Sequence, residues 1–201
     1  MSDDFGRPGW AQTDPLLREY YDTEWGMPVR EENAVFERLS LEGFQAGLSW
    51  LTVLKKREAF REAFHGFDIE QVSAMGDAEI ERMMLNPDLI RNRMKLQAVL
   101  NNARVTLKLH ASGTTLSETV WAAMPDRSLT PHTEEEIPAF SYESTTLART
   151  LRAHGYKFVG PTICFALMTA IGIVDAHLVG SHRRGSSGVF QSDGTRIPYS
   201  D

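Results

Sequence analysis

Apolar residues along this chain recur at helical spacing, not in alternation. From Ile90 to Leu109 they fall at Leu96, Val99, Leu100, Ala103 and Leu107, one stripe at steps of three and four that predicts a long amphipathic helix. Ser49 stands as an N-cap for a helix running from Trp50 past Phe64, with Leu51, Leu54 and Phe64 on its buried side. Asp68 followed by Gln71 has the form of a capping box for a short helix around Val72. Asp77 opens another, which carries Ile80, Met83 and Met84 until Asn86-Pro87 stops it. Thr115 and Glu118 repeat the capping-box pattern ahead of Val120 and Trp121, and Pro125, Pro131 and Pro138 mark the polar stretch 125–140 as a loop. A helix over 145–154 ends at Gly155, a residue suited to a left-handed C-cap. The next begins at Pro161, where proline fits the first turn, and runs to about Gly172. With no alternating strand series, the pattern predicts an all-α protein. Glycine and serine after Arg184 predict a flexible C-terminal tail over 185–201 and leave 1–184 as the folded domain.

Composition narrows the class. A chain of 201 residues, 42% hydrophobic and 24% charged, suits one domain or two closely packed lobes around a real core. No run approaches the roughly 18 apolar residues of a membrane span, and the polar start Met-Ser-Asp-Asp lacks a secretory apolar core. The expectation is an intracellular, cytoplasmic protein with no membrane partner. The single cysteine, Cys164 between Ile163 and Phe165, excludes an internal disulfide and a cysteine-only metal site, and reads as a buried, inert thiol. A net charge of −6 speaks against non-specific DNA binding, which rests on Lys and Arg neutralising phosphates. The charge is uneven, however. Acidic residues crowd at Asp3-Asp4, Glu31-Glu32 and Glu134 to Glu136; basic ones cluster as Lys55-Lys56-Arg57, Arg91-x-Arg93-x-Lys95 and Arg183-Arg184. Those clusters suit either a local basic face or ordinary solvated helix faces.

Two segments carry candidate chemistry. In Gly155-Tyr-Lys-Phe-Val-Gly-Pro-Thr-Ile-Cys-Phe-Ala-Leu-Met-Thr-Ala170 one helix ends, a tight turn passes through Gly160, and a second helix starts at once. Such a turn exposes backbone N–H groups at a helix N-terminus, where an anion binds. It resembles a helix-hairpin-helix grip on the DNA backbone, and it equally suits a plain helical hairpin. In Leu41-Glu-Gly-Phe-Gln-Ala-Gly-Leu-Ser-Trp50 two glycines, an acid, an amide and a tryptophan are expected between two helices. Periodicity alone leaves Glu42 open to solvent and Trp50 open to a plain core role.

Five segments occur in order: Asp22-Thr-Glu-Trp-Gly-Met-Pro28, Leu41 to Trp50, Thr52-Val-Leu-Lys-Lys-Arg57, Ile90-Arg-Asn-Arg-Met-Lys95 and Lys157-Phe-Val-Gly160. Together they resemble the 3-methyladenine DNA glycosylase I family of the helix-hairpin-helix glycosylase superfamily, from about Gly9 to His182. The resemblance implies the helix-hairpin-helix DNA glycosylase fold, with two closely packed helical lobes and the base pocket between them. It implies a monomeric, monofunctional enzyme that hydrolyses the N-glycosidic bond of 3-methyladenine in double-stranded alkylated DNA and releases the free base. Another alkylated purine as substrate, or a non-catalytic damage-binding module, stand as alternatives.

By the same resemblance, Trp10, Tyr20, Trp25, Gln45 and Trp50 bind the flipped base and Glu42 is the catalytic carboxylate. Lys157, Gly160 and Thr162 contact the DNA backbone, and Lys55, Lys56, Arg91, Arg93 and Lys95 are further phosphate candidates. No cofactor is implied. Asp175 lies where many superfamily members place a catalytic aspartate, and is read here as structural. Most relatives clamp their termini with a zinc held by two cysteines and two histidines; here three of those positions read Pro8, Tyr21 and Ser181, and only His177 matches. The expectation is therefore no structural zinc, with termini held by packing and hydrogen bonds.

Overall fold

A computed structural model describes residues 6–198, and among them the chain is helical, with isolated bridges (Arg127–Thr195 and Phe190–Arg196) in place of a sheet. The helices are α1 (Gly9–Gln12), α2 (Pro15–Thr23), α3 (Glu32–Gln45), α4 (Trp50–Lys55), α5 (Arg57–Ala63), α6 (Ile69–Ala74), α7 (Asp77–Leu85), α8 (Arg93–Ala111), α9 (Leu116–Trp121), α10 (Tyr142–His154) and α11 (Pro161–Ala170). Their ends follow local chemistry. The side chains of Asp14, Ser49, Asp68, Asn92 and Thr115 each accept a backbone N–H in the first turn of the helix they precede. Gly155 closes α10 at φ +101°, a left-handed cap that a side chain would strain.

Helix α3 is the centre of the molecule. Val35, Phe36, Leu39, Leu41 and Phe44 are buried on it, and it touches α4, α8, α9 and α11. One continuous core runs from these residues through Phe60, Phe64 and Phe67 to Leu147, Leu151 and Leu167. A second, smaller cluster of Leu17, Tyr20 and Leu54 lies where α2 meets α4, ringed by Trp10, Trp25 and Trp50.

Three expectations change. Residues 41–45 are not a connection between helices: they form the last turn of α3, so Glu42 projects from a helix. That turn is held by Lys95, whose buried Nζ donates to Phe44 O at 2.8 Å and Ala46 O at 2.5 Å. The single helix expected from Trp50 past Phe64 is two. Lys56 leaves helical geometry (φ −103°, ψ 1°) and donates its N–H to Val53 O, tightening the end of α4. The apolar spacing continues across that break, so periodicity does not register it. Residues 185–198 are packed onto the body: Phe190 is fully buried, and Arg184 bonds the carbonyls of Asp175, His177, Leu129 and Ser192. Residues 199–201 of the expected tail lie outside the described residues.

Candidate active site

Helices α1, α2, α3, α4 and α11 surround one cavity of about 520 Å³. Trp10, Thr13, Leu17, Tyr20, Trp25, Glu42, Gln45, Ser49, Trp50, Leu51, Ala166 and Thr169 line it. All six residues expected at the base site are thus on a single wall system, drawn from segments 40 residues apart in sequence. Tyr20 and Trp50 face each other with ring centroids 5.3 Å apart, and Trp10 meets Trp25 edge-on at 5.6 Å. The size falls within the range of small-molecule pockets, roughly 300–1,000 Å³.

Glu42 is 4% exposed, and its Oε2 is buried without a hydrogen-bond partner in the described structure. Burial pushes its carboxyl up to about 8, opposed in part by the Arg38 guanidinium one turn earlier on α3. Arg38 gives limited relief because it is ion-paired to Glu24, which also binds Arg57. The Trp50 indole Nε1 is likewise buried and unpartnered. An acceptor and a donor without partners, each costing about 1–3 kcal/mol of desolvation, thus belong to two residues of the cavity lining. Tyr20 is buried at its side, and burial with the nearby Glu42 carboxyl raises its phenol, so it stays neutral.

Behind Trp10 and Trp25 lie the positions where the family resemblance implies metal ligands. Pro8 has no donor. The Tyr21 hydroxyl and Ser181 Oγ share a buried hydrogen bond of 2.7 Å. His177 Nδ1 is engaged with Asp175 Oδ1 at 2.7 Å, leaving Nε2 as the one unpartnered ring nitrogen. A structural zinc takes four N, S or O ligands in a tetrahedron, and this set does not fit one. Asp175 is structural in geometry: it is buried, and its carboxylate also accepts Gly185 N–H at 2.9 Å. Burial alone would raise that carboxyl, but His177, Gly185 and Arg184 outweigh it and hold it below its ordinary value.

The hairpin between α10 and α11 packs against α8 and against Gly43 of α3. Asn102 on α8 holds both backbone groups of Lys157, donating to its carbonyl at 3.0 Å and accepting its N–H at 2.8 Å. Asn101 donates to Gly155 O at 3.0 Å. Phe158 adopts φ +54°, and a methyl group on Gly43 would sit in contact with its side chain. The side chains of Lys157 and Thr162 are exposed, and no side chain caps the start of α11. Farther along the same helix, Ala166 and Thr169 reach the cavity.

The basic candidates divide. Lys95 is not a phosphate contact, because it is buried as the cap of α3. Arg93 pairs with Glu81, Lys56 donates to Pro87 O, Lys55 pairs loosely with Asp14 at 3.3 Å, and Arg91 is exposed. Sequence reasoning missed Thr13, Leu17, Ser49, Leu51, Ala166 and Thr169 in the lining, and Asn102 under the hairpin. Leu17 with Tyr20, and Ala166 with Thr169, share an i, i+3 helix face. That spacing is the signal available for them.

The methyladenine glycosylase family matches residues 10–184. The chain is 43% identical over 176 residues to DNA-3-methyladenine glycosylase 1 of Escherichia coli, covering 87% of this chain and 94% of that protein. A crystal structure of 3-methyladenine DNA glycosylase I superposes with a TM-score of 0.85 at 40% identity, covering 88% of this chain and 98% of the other. The Staphylococcus aureus 3-methyladenine DNA glycosylase I, solved for its recognition of 3-methyladenine, gives 0.79 at 36% identity, with 83% and 89% covered. A match across nearly the whole chain, joined to the gathering of Glu42 and four aromatic rings in one cavity, places this protein in the methyladenine glycosylase family.

Proposed function

We propose that this chain is a monofunctional DNA glycosylase that hydrolyses the N-glycosidic bond of 3-methyladenine in alkylated double-stranded DNA and releases the free base. The buried, unpartnered Glu42 carboxyl inside an aromatic cavity carries this reading. A flipped base supplies what the cavity lacks, a hydrogen-bond donor for the Glu42 carboxyl. 3-Methyladenine is cationic while attached to DNA, so electron-rich ring faces attract it more than they attract normal adenine. Stacking on Tyr20, Trp10, Trp25 or Trp50 also offsets part of the unstacking cost of flipping.

The same cation sets the ionisation of Glu42. In the free cavity the carboxyl is mostly protonated at neutral pH. A positive base a few ångströms away favours the carboxylate, so base binding and loss of that proton are coupled. As the C1′–N bond breaks, its electron pair goes to the base, which leaves neutral and needs no strong general acid. Positive charge moves to the sugar, where the Glu42 carboxylate stabilises it, and water adds at C1′ and loses a proton to solvent. Among the described residues no lysine lines the cavity to form a Schiff base, which supports hydrolysis without strand cleavage.

Lys157, Gly160 and Thr162 hold the DNA backbone. The free N–H groups at the start of α11 bind a phosphate, and glycine at 160 lets it approach closely. Thr162 and Thr169 are about 10 Å apart along the helix at 1.5 Å per residue. One rigid helix thereby sets the phosphate-to-cavity distance for a nucleotide swung out of the duplex.

Release of free bases from methylated duplex DNA tests the reading, with wild type compared against Glu42→Gln and Trp50→Ala. Wild type is expected to release 3-methyladenine, with at least a tenfold loss in each variant. Absence of 3-methyladenine in the wild-type products overturns the function, and an unchanged Glu42→Gln rate overturns only the role of the carboxylate.

A further inference from the structure

The residues behind the cavity wall formed by Trp10 and Trp25 do not fit a zinc, yet the wall is braced. Tyr21 is fully buried; its ring lies 5.6 Å from Trp25, nearly parallel, and 5.5 Å from Trp10, edge-on. Its hydroxyl reaches across 160 residues of sequence to Ser181 at 2.7 Å. His177 presses edge-on against both Trp25 at 4.8 Å and Tyr21 at 5.3 Å. Asp175 fixes the His177 ring, and Gly26 leaves it room: a Cβ there would fall 2.3 Å from His177 Cε1. The N-terminal segment is tied to the same region. Arg7 makes two 2.8 Å bonds to Asp22, the Gly9 N–H bonds Glu134, and Gly6 lies so close to Gly180 O that a Cβ would be 2.6 Å away.

We propose that Tyr21 is a positioning residue for the base cavity, locking Trp10 and Trp25 to the C-terminal segment through a metal-free clamp completed by Ser181, His177 and Asp175. This rests on the reading of the cavity as a base site and adds to it the means by which this chain holds the site in shape. One side chain has two functions: the ring joins the aromatic stack, and the hydroxyl makes the tie between termini. Removing the ring loosens two rings that flank the base, whereas removing the hydroxyl or its partner breaks only the tie.

The test titrates free 3-methyladenine into protein dialysed against a strong chelator, following tryptophan fluorescence, alongside metal analysis and thermal unfolding. Chelation is expected to leave the wild-type Tm and Kd unchanged. Tyr21→Leu raises Kd about two- to tenfold, the range of one aromatic pair, at temperatures where circular dichroism shows it folded. Tyr21→Phe and Ser181→Ala each raise Kd about twofold, and the double variant goes no further because both break one bond. A brace acting on stability alone would lower Tm while every folded variant kept the wild-type Kd, and that result overturns the proposal. One zinc per chain, or a Tm lost on chelation, overturns it too. Should Tyr21→Leu not fold, the Tyr21→Phe and Ser181→Ala pair decides. A folded wild type that binds no 3-methyladenine refutes the base-site reading itself, an outcome distinct from unchanged affinity in the variants.

Discussion

Replacing Glu42 by glutamine is expected to make the protein more stable and less active at once, with a stability gain that depends on pH. The carboxyl has an ordinary value of 4.5, and burial lifts it to about 8 in the folded chain. A raised folded value means the native state holds its proton after the unfolded chain has released it. Its contribution to stability is therefore fully present below pH 4.5, declines as pH rises through the window from 4.5 to 8, and is constant above. At 1.36 kcal/mol per unit, wild type loses about 3 kcal/mol from this one group by pH 7 and about 5 kcal/mol by pH 9. Glutamine keeps the size and has no proton to lose. The difference between Glu42→Gln and wild type should grow by those amounts between pH 4 and 9, read by urea unfolding at fixed temperature. A difference that stays flat across that range would mean that the carboxyl is not buried as a strained acid, and the electrostatic account of the cavity would fail.

The same carboxyl sets the pH dependence of excision: kcat/KM reports the free enzyme and should rise tenfold per unit up to about pH 8, then level off. With substrate bound, the cationic base stabilises the carboxylate, so kcat should level off at lower pH; identical profiles would refute the coupling. Lys95→Met uncaps the Phe44 and Ala46 carbonyls at the end of α3 and is expected to cost about 2–3 kcal/mol in chemical denaturation. A cost within experimental error would show that the cap contributes nothing. Asn102→Leu leaves both backbone groups of Lys157 without partners; affinity for duplex DNA should fall, while free 3-methyladenine binds as before. Equal losses of DNA and base binding would refute the assignment of the hairpin to the backbone alone.

How much of this was legible in sequence follows from the range of the interactions involved. Caps such as Ser49, Thr115–Glu118 and Gly155 act on N–H or carbonyl groups within a turn, so residue type and offset suffice to place them. Glu42 was hidden for the opposite reason. Leu41, Gly43 and Phe44 are buried beside it on several faces of α3, and a helix buried all round shows no amphipathic stripe to mark its end. Lys95 sits among basic residues and reads as part of a charged face. Only the approach of α8 to the C-terminus of α3 supplies the two carbonyls that make a buried ammonium tolerable. In the tail, glycine and serine argue for mobility, and one aromatic ring, Phe190, reverses that by burying itself completely. Tyr21 combines both limits. Its sequence neighbour Tyr20 faces the cavity from the same helix, but the role of the Tyr21 hydroxyl is explained only by a serine 160 residues away. Loss of metal ligands was visible one position at a time; that two of the replacements bond to each other is a property of the folded chain, and it turns an apparent deletion of the clamp into an exchange of its chemistry.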